Sequence, residues 1–287
     1  MKLMRKPLLV VLAVLTGLVV GCSKPRQFGG EVRPPESVYA GIASLSPSTT
    51  ELLGNFMVPM VGRSKACNFP PQVTSVPIAG DLKPNYEMIA KMGRVLIFLD
   101  KDLYGDAEIV KLKEVGAVVR EMGATNLEEY YKEVHKIGSL CARETQANEL
   151  VIKVRKQAAV SAGDPITSGK SAVILIPGPG GRHMIAGKNS FQGSCVSMLG
   201  LKVIGPDSKR FETANAEFLL AQNPDYILVA GDVKTMKADT RLATLKAIKN
   251  NAYFTVPQDI VLRRGGRVED FLRDSHKGFK LLEGQGK

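Results

Sequence analysis

Asn85-Tyr86-Glu87-Met88-Ile89-Ala90, running on into Val95-Leu96-Ile97-Phe98, is matched 130 residues later by Asn215-Ala216-Glu217-Phe218-Leu219-Leu220 and Tyr226-Ile227-Leu228-Val229. Each copy reads as a short helix capped by an asparagine and feeding a buried strand. The same offset relates Ile42-Ala43-Ser44-Leu45-Ser46-Pro47 to Ala172-Val173-Ile174-Leu175-Ile176-Pro177, two apolar runs that both stop at a proline. Strand followed by helix, repeated, implies a mostly parallel sheet. The expected fold class is therefore α/β, with two Rossmann-like lobes joined by a single long helix. Ligands of such sheets sit at the carboxyl ends of the strands, so two facing lobes make a cleft.

The joining helix is predicted at residues 141–162, with Leu150, Val151, Val154 and Ala158 on one face, after an amphipathic helix marked by Leu127, Tyr130, Tyr131, Val134 and Ile137. About 21 residues at 1.5 Å each span roughly 30 Å, the width of a lobe. The lobes are then residues 39–140 and 163–287.

Lys2, Arg5 and Lys6 precede an apolar run from Pro7 to Val20, which ends in Gly21-Cys22. A basic start, a short apolar stretch and a small residue before cysteine make a lipoprotein signal at residues 1–21. The run falls short of the ~20 apolar residues of a membrane-spanning helix. Cys22 is the expected lipidation site, which places the chain in the cell envelope, and residues 22–38, rich in proline and glycine, form a tether.

The chain of 287 residues carries a formal charge of +11. Removing residues 1–21 takes away three basic residues and no acid, leaving +8. Lysines are scattered, there is no tryptophan, and no basic run with interleaved aromatics suggests nucleic acid. Cys67, Cys141 and Cys195 match no zinc spacing, and burial as small apolar groups is their expected role, although one pair could bridge. His135, His183 and His276 lie too far apart in sequence to suggest a bare metal site. Gly178-Pro179-Gly180-Gly181-Arg182 lacks the Lys-Ser/Thr of a phosphate loop, and no Gly-x-Ser-x-Gly elbow exists. No catalytic residue and no resident cofactor are expected.

Five motifs carry a family resemblance. Ala43-Ser44-Leu45-Ser46-Pro47-Ser48-Thr49-Thr50-Glu51, Cys67-Asn68-Phe69-Pro70-Pro71, Pro84-Asn85-Tyr86-Glu87, Ala186-Gly187-Lys188-Asn189-Ser190-Phe191 and Ala221-Gln222-Asn223-Pro224-Asp225 occur in this order. They resemble the helical-backbone (class III) substrate-binding proteins of ABC transporters, the group for vitamin B12, ferric siderophores and haem, and most of all its B12-binding branch. The resemblance implies a monomer that takes a cobalamin-like corrinoid, its metal belonging to the ligand, and hands it to a permease dimer with its ATPases. A ferric siderophore or haem is the alternative within the family, and an enzyme or chelatase, or a structural lipoprotein, the alternatives outside it. Positions that the B12 binders fill with tryptophan match Asp81, Leu99 and Phe211, of which only Phe211 is aromatic. The resemblance and the loop positions make Asn68, Phe69, Asp81, Arg182, His183, Phe211, Arg263, Arg264 and Arg267 the candidate ligand contacts. The arginines could instead be solvated or meet the transporter. By the same resemblance Glu87 and Glu217 are the transporter-docking residues, where the plain alternative is an acid favouring the first turn of a helix.

Overall fold

A computed structural model of the chain describes residues 38–285, so the signal sequence, Cys22 and the tether lie outside the described residues. The first lobe runs β1 (Gly41–Ser44), α1 (Pro47–Asn55), β2 (Gly62–Ser64), β3 (Ile78–Gly80), α2 (Tyr86–Lys91), β4 (Val95–Asp100), α3 (Asp106–Glu114) and β5 (Val118–Met122). Its five strands are all parallel, in the order β3-β2-β1-β4-β5. Strand β4 is buried along its whole length, with Leu96 and Phe98 facing one core and Val95, Ile97 and Leu99 another. That is why its sequence is an unbroken apolar run. Helix α1 is capped by Ser46, whose side chain accepts from the Thr49 N–H at 3.2 Å. Pro47 fills the first helical position, where an N–H is not needed.

Two helices follow, α4 (Leu127–Leu140) and α5 (Glu144–Gly163). The joining helix starts at Glu144, later than the predicted Cys141, because the chain turns tightly between them: Ala142 has φ 51° and the Arg143 N–H bonds back to the Gly138 carbonyl at 2.7 Å. At 20 residues α5 still spans about 30 Å.

The second lobe comprises β6 (Ser171–Ile176), β7 (His183–Ala186), α6 (Phe191–Met198), β8 (Lys202–Val203), β9 (Phe211–Ala214), α7 (Ala216–Gln222), β10 (Tyr226–Ala230), α8 (Val233–Ala238), α9 (Lys246–Lys249), β11 (Tyr253–Val256), α10 (Gln258–Leu262) and α11 (Val268–Gln285). Strands β8, β10 and β11 run parallel to the central β6 as expected, whereas β7 and β9 are antiparallel. The reason is Gly178-Pro179-Gly180-Gly181. With Gly180 at φ 63° and Gly181 at φ 76°, the chain doubles back as a hairpin instead of crossing over.

The repeat is realised as β1–α2–β4 against β6–α7–β10, with β1 beside β4 and β6 beside β10. One continuous apolar core passes from Leu96 and Phe98 through Tyr130, Ile137 and Val154 to Ile174, Leu228 and Phe279. The lobes therefore share packing beyond the connecting helix. Cys67, Cys141 and Cys195 are free and buried, and burial pushes the Cys141 thiol up to about 12. Among the described residues no helix is long and apolar enough to cross a membrane.

Candidate functional site

In the first sheet the winding reverses between β1 and β4, and the cleft opens at their carboxyl ends. Pro47 and Ser48 after β1, Ala66, and Asp100, Asp102 and Leu103 at the end of β4 form its first wall. The second lobe supplies Met184 from β7, Gln192 from α6, Lys209, Arg210 and Phe211 at the start of β9, Gln258, Asp259 and Leu262 from α10, and then Arg263 and Arg264. The cavity holds about 700 Å³, within the range of small-molecule sites. A polar annex of about 500 Å³ adjoins it, sharing Asp102, Lys209 and Arg210.

The arginine cluster crosses between the lobes. Arg263 Nη1 lies 3.1 Å from Glu51 Oε1, and its Nη2 donates to Asn68 Oδ1 at 2.8 Å. Arg264 Nη2 lies 2.5 Å from Asp100 and its Nη1 3.1 Å from Asp102. Arg267 Nη2 lies 2.6 Å from both Glu51 and Asp259, and its guanidinium covers the Phe69 ring at 4.0 Å. The Tyr130 hydroxyl donates to the Gly265 carbonyl at 2.8 Å, and the Arg264 N–H to Ser48 Oγ at 3.1 Å. Burial works against the Arg264 charge, but Asp100 and Asp102 outweigh it and hold the guanidinium pKa above its ordinary value.

Of the residues expected at the ligand, Phe211, Arg263 and Arg264 line the cleft. Asn68, Phe69 and Arg267 lie together beside it in the inter-lobe cluster. Asp81 faces solvent, 3.5 Å from Lys65. Leu99 is fully buried on the far face of β4, because alternation along the strand turns it away from Asp100. Arg182 is exposed and, among the described residues, makes no ion pair and does not line the cleft. His183 is corrected outright. It is buried, its Nδ1 accepts from the Gly178 N–H at 3.2 Å, and its Nε2 meets Asp239 at 3.1 Å, so neither ring nitrogen is left for a ligand. It braces the hairpin turn, and Arg241, together with His183, holds Asp239 down to about 2.

Sequence reasoning missed Lys209 and Arg210. They line both cavities, and among the described residues neither makes an ion pair. Adjacency to Phe211 was the available signal. It also missed Arg63, buried on β2, whose guanidinium donates to the carbonyls of Val76, Ser64, Cys67 and Thr74 and so shapes the loop carrying Asn68 and Phe69.

Glu87 and Glu217 hold equivalent places, each second in a helix whose asparagine cap accepts an N–H, Asn85 from Met88 at 3.1 Å and Asn215 from Phe218 at 2.9 Å. Both carboxylates are exposed, and among the described residues neither makes an ion pair.

The family model described as periplasmic binding protein matches residues 42–260, spanning both lobes and the helix between them. The chain belongs to the periplasmic binding protein family. This periplasmic binding protein shares its fold with solved structures of low identity. One is the periplasmic heme-binding protein BhuT in complex with two hemes (12% identity, TM-score 0.73, covering 84% of this chain and 98% of that one). Another is the periplasmic vitamin B12-binding protein BtuF of Vibrio cholerae (17% identity, TM-score 0.72, 84% and 96%). A third is a possible iron-binding periplasmic solute-binding protein of Staphylococcus epidermidis (26% identity, TM-score 0.66, 84% and 99%). No curated protein sequence matches the chain significantly. The family's work is to bind a small molecule outside the cytoplasm for an ABC importer.

Proposed function

We propose that this periplasmic binding protein, anchored through Cys22, captures an anionic metal chelate in the inter-lobe cleft and delivers it to an ABC permease. The observation that carries this reading is the pair Lys209 and Arg210, which make no ion pair among the described residues, beside Phe211 and opposite the exposed Leu103. Leu103, Met184, Leu262 and Phe211 offer an apolar face, while the two cations meet carboxylates or other anionic groups. Structural relatives named for heme, vitamin B12 or iron make a metal-centred ligand the natural class. A corrinoid, first suggested by the resemblance, lacks a strong net charge and leaves these cations with less to do. Among the described lining residues none is His, Tyr or Cys, which suits a chelate whose metal is already fully coordinated.

Titration with cobalamin, cobinamide, haem and several ferric siderophores tests the reading. An anionic ferric chelate is expected to bind, and Lys209→Ala with Arg210→Ala to weaken it by about 2–5 kcal/mol where the ligand desolvates the charges. Tight binding of cobalamin, or a chelate affinity unchanged in the double variant, refutes it. The Arg263, Arg264 and Arg267 triplet is a poor substitute for that test, since removing it also breaks the inter-lobe pairs.

Anchoring has its own check. A single acyl chain binds membranes only marginally, while two give lasting attachment. Cys22→Ala is expected to move the protein from the membrane fraction to the soluble extracytoplasmic fraction, and equal membrane retention of variant and parent would exclude Cys22 as the anchor.

A further inference from the structure

The segment Arg263–Arg267 belongs to the second lobe by sequence, yet its polar contacts reach the first, at Glu51, Asn68, Asp100, Asp102 and Ser48 among others. Two backbone carbonyls add to them, Gly265 accepting from Tyr130 and Gly266 from Asn55 at 3.4 Å. The bonds lie at the cleft floor, remote in sequence from α5. The helix and the shared apolar core hold the lobes together, but apolar packing is non-directional. Charged hydrogen bonds add a defined distance and angle at the cleft.

We propose that Glu51, Asp100 and Arg264 are positioning residues for transport, which set the separation of Glu87 and Glu217 before any ligand enters the cleft. This rests on reading the two glutamates as the docking pair. The charges suit the role. Glu51 is fully buried, and Asp100 and the Arg264 side chain nearly so, so solvent and salt screen these pairs far less than surface ones. Each partner also holds a second bond: Arg264 donates to the Ala124 carbonyl at 3.2 Å, and Asp100 Oδ1 accepts the Asp102 N–H at 3.1 Å. The first lobe is thus gripped through backbone as well as side chain. Gly265 and Gly266 allow the close approach, since a β-carbon on Gly265 would lie 2.6 Å from Glu51 Oε2 and one on Gly266 2.2 Å from Asn55 Nδ2.

The test needs no ligand. Nitroxides attached to p-acetylphenylalanine at Lys91 and Gln222, the exposed far ends of the two docking helices, report the lobe separation by pulsed electron resonance in the full-length protein. The parent is expected to show one narrow distance. Arg264→Met and Asp100→Asn are expected to at least double the width of the distribution, and Arg264→Lys, which keeps the charge, to restore most of it. A merely stabilising role would lower the melting temperature without moving the distances. Widths unchanged in both Arg264→Met and Asp100→Asn overturn the proposal, whereas failure of the docking reading shows separately, as normal uptake by a Glu87 and Glu217 double variant.

Discussion

Replacing Glu51 with alanine is expected to destabilise the folded protein by about 3–5 kcal/mol, because it leaves buried cations without their anion. Glu51 is fully buried on α1, and its Oε1 is shared by Arg263 at 3.1 Å and Arg267 at 2.6 Å. Both guanidinium groups are largely withdrawn from water, so solvent cannot take over. Arg267 retains Asp259 at 2.6 Å, but for Arg263 Glu51 is the only carboxylate within ion-pair distance among the described residues. The exposed pair Arg155–Glu128, also bridging distant segments at 3.3 Å, serves as the control. There water screens the charges, and Glu128→Ala should change stability by less than about 1 kcal/mol. Denaturant melts of the two variants measure the contrast. A Glu51→Ala protein no less stable than the Glu128→Ala one would show that the buried cluster relaxes or hydrates at little cost.

The second large effect concerns transport. Glu87→Ala combined with Glu217→Ala is expected to abolish uptake, or slow it sharply, while leaving folding and ligand affinity almost unchanged. Each acid sits in the first turn of its helix, where its interaction with the helix dipole is worth about 0.3–1 kcal/mol, a small loss for a domain of this size. Asn85 and Asn215 continue to cap the helices. What disappears is a pair of exposed negative points, one per lobe, which make no ion pair among the described residues of a chain whose net charge is strongly positive. Such points fix the register of docking more than its raw strength. Cellular uptake of a metal chelate by cells carrying the double variant, with its expression and binding checked in parallel, decides the matter. Normal uptake would return both glutamates to the role of helix-start acids.

The parts of the fold legible in the sequence are those whose signals are local. Asn85 and Asn215 announce helix starts within three residues, and Val95–Phe98 and Tyr226–Val229 are apolar at every position because both faces of each strand are covered. The joining helix was found by its periodicity and misplaced by three residues at its start, since Ala142 adopts a left-handed conformation that no residue type there advertises. The antiparallel β7 and β9 were missed although their cause, the Gly178–Gly181 turn, was in view. A glycine-rich turn is equally compatible with a crossover loop, and which one forms depends on where the next strand finds a partner.

The candidate site divides in the same way. Phe211, Arg263 and Arg264 were placed at the cleft from the sequence, and they line it. His183 was misassigned because a strand exposes alternate residues to opposite faces, and sequence alone does not say which face meets the cleft. Lys209 and Arg210 carry no motif, and only the tertiary structure shows that, among the described residues, no carboxylate comes within ion-pair distance of either.

By itself, then, the amino-acid sequence determined two α/β lobes of one plan, a helix of lobe length between them, and a paired set of capped helices bearing Glu87 and Glu217. These follow from hydrogen bonds and side-chain periods that span a few residues. Only the tertiary structure decided which charges neutralise one another. Arg263 finds Glu51 across 212 residues of chain and Arg264 finds Asp100 across 164, and a Coulomb interaction depends on distance in space, which the spacing of residues along the chain does not reveal.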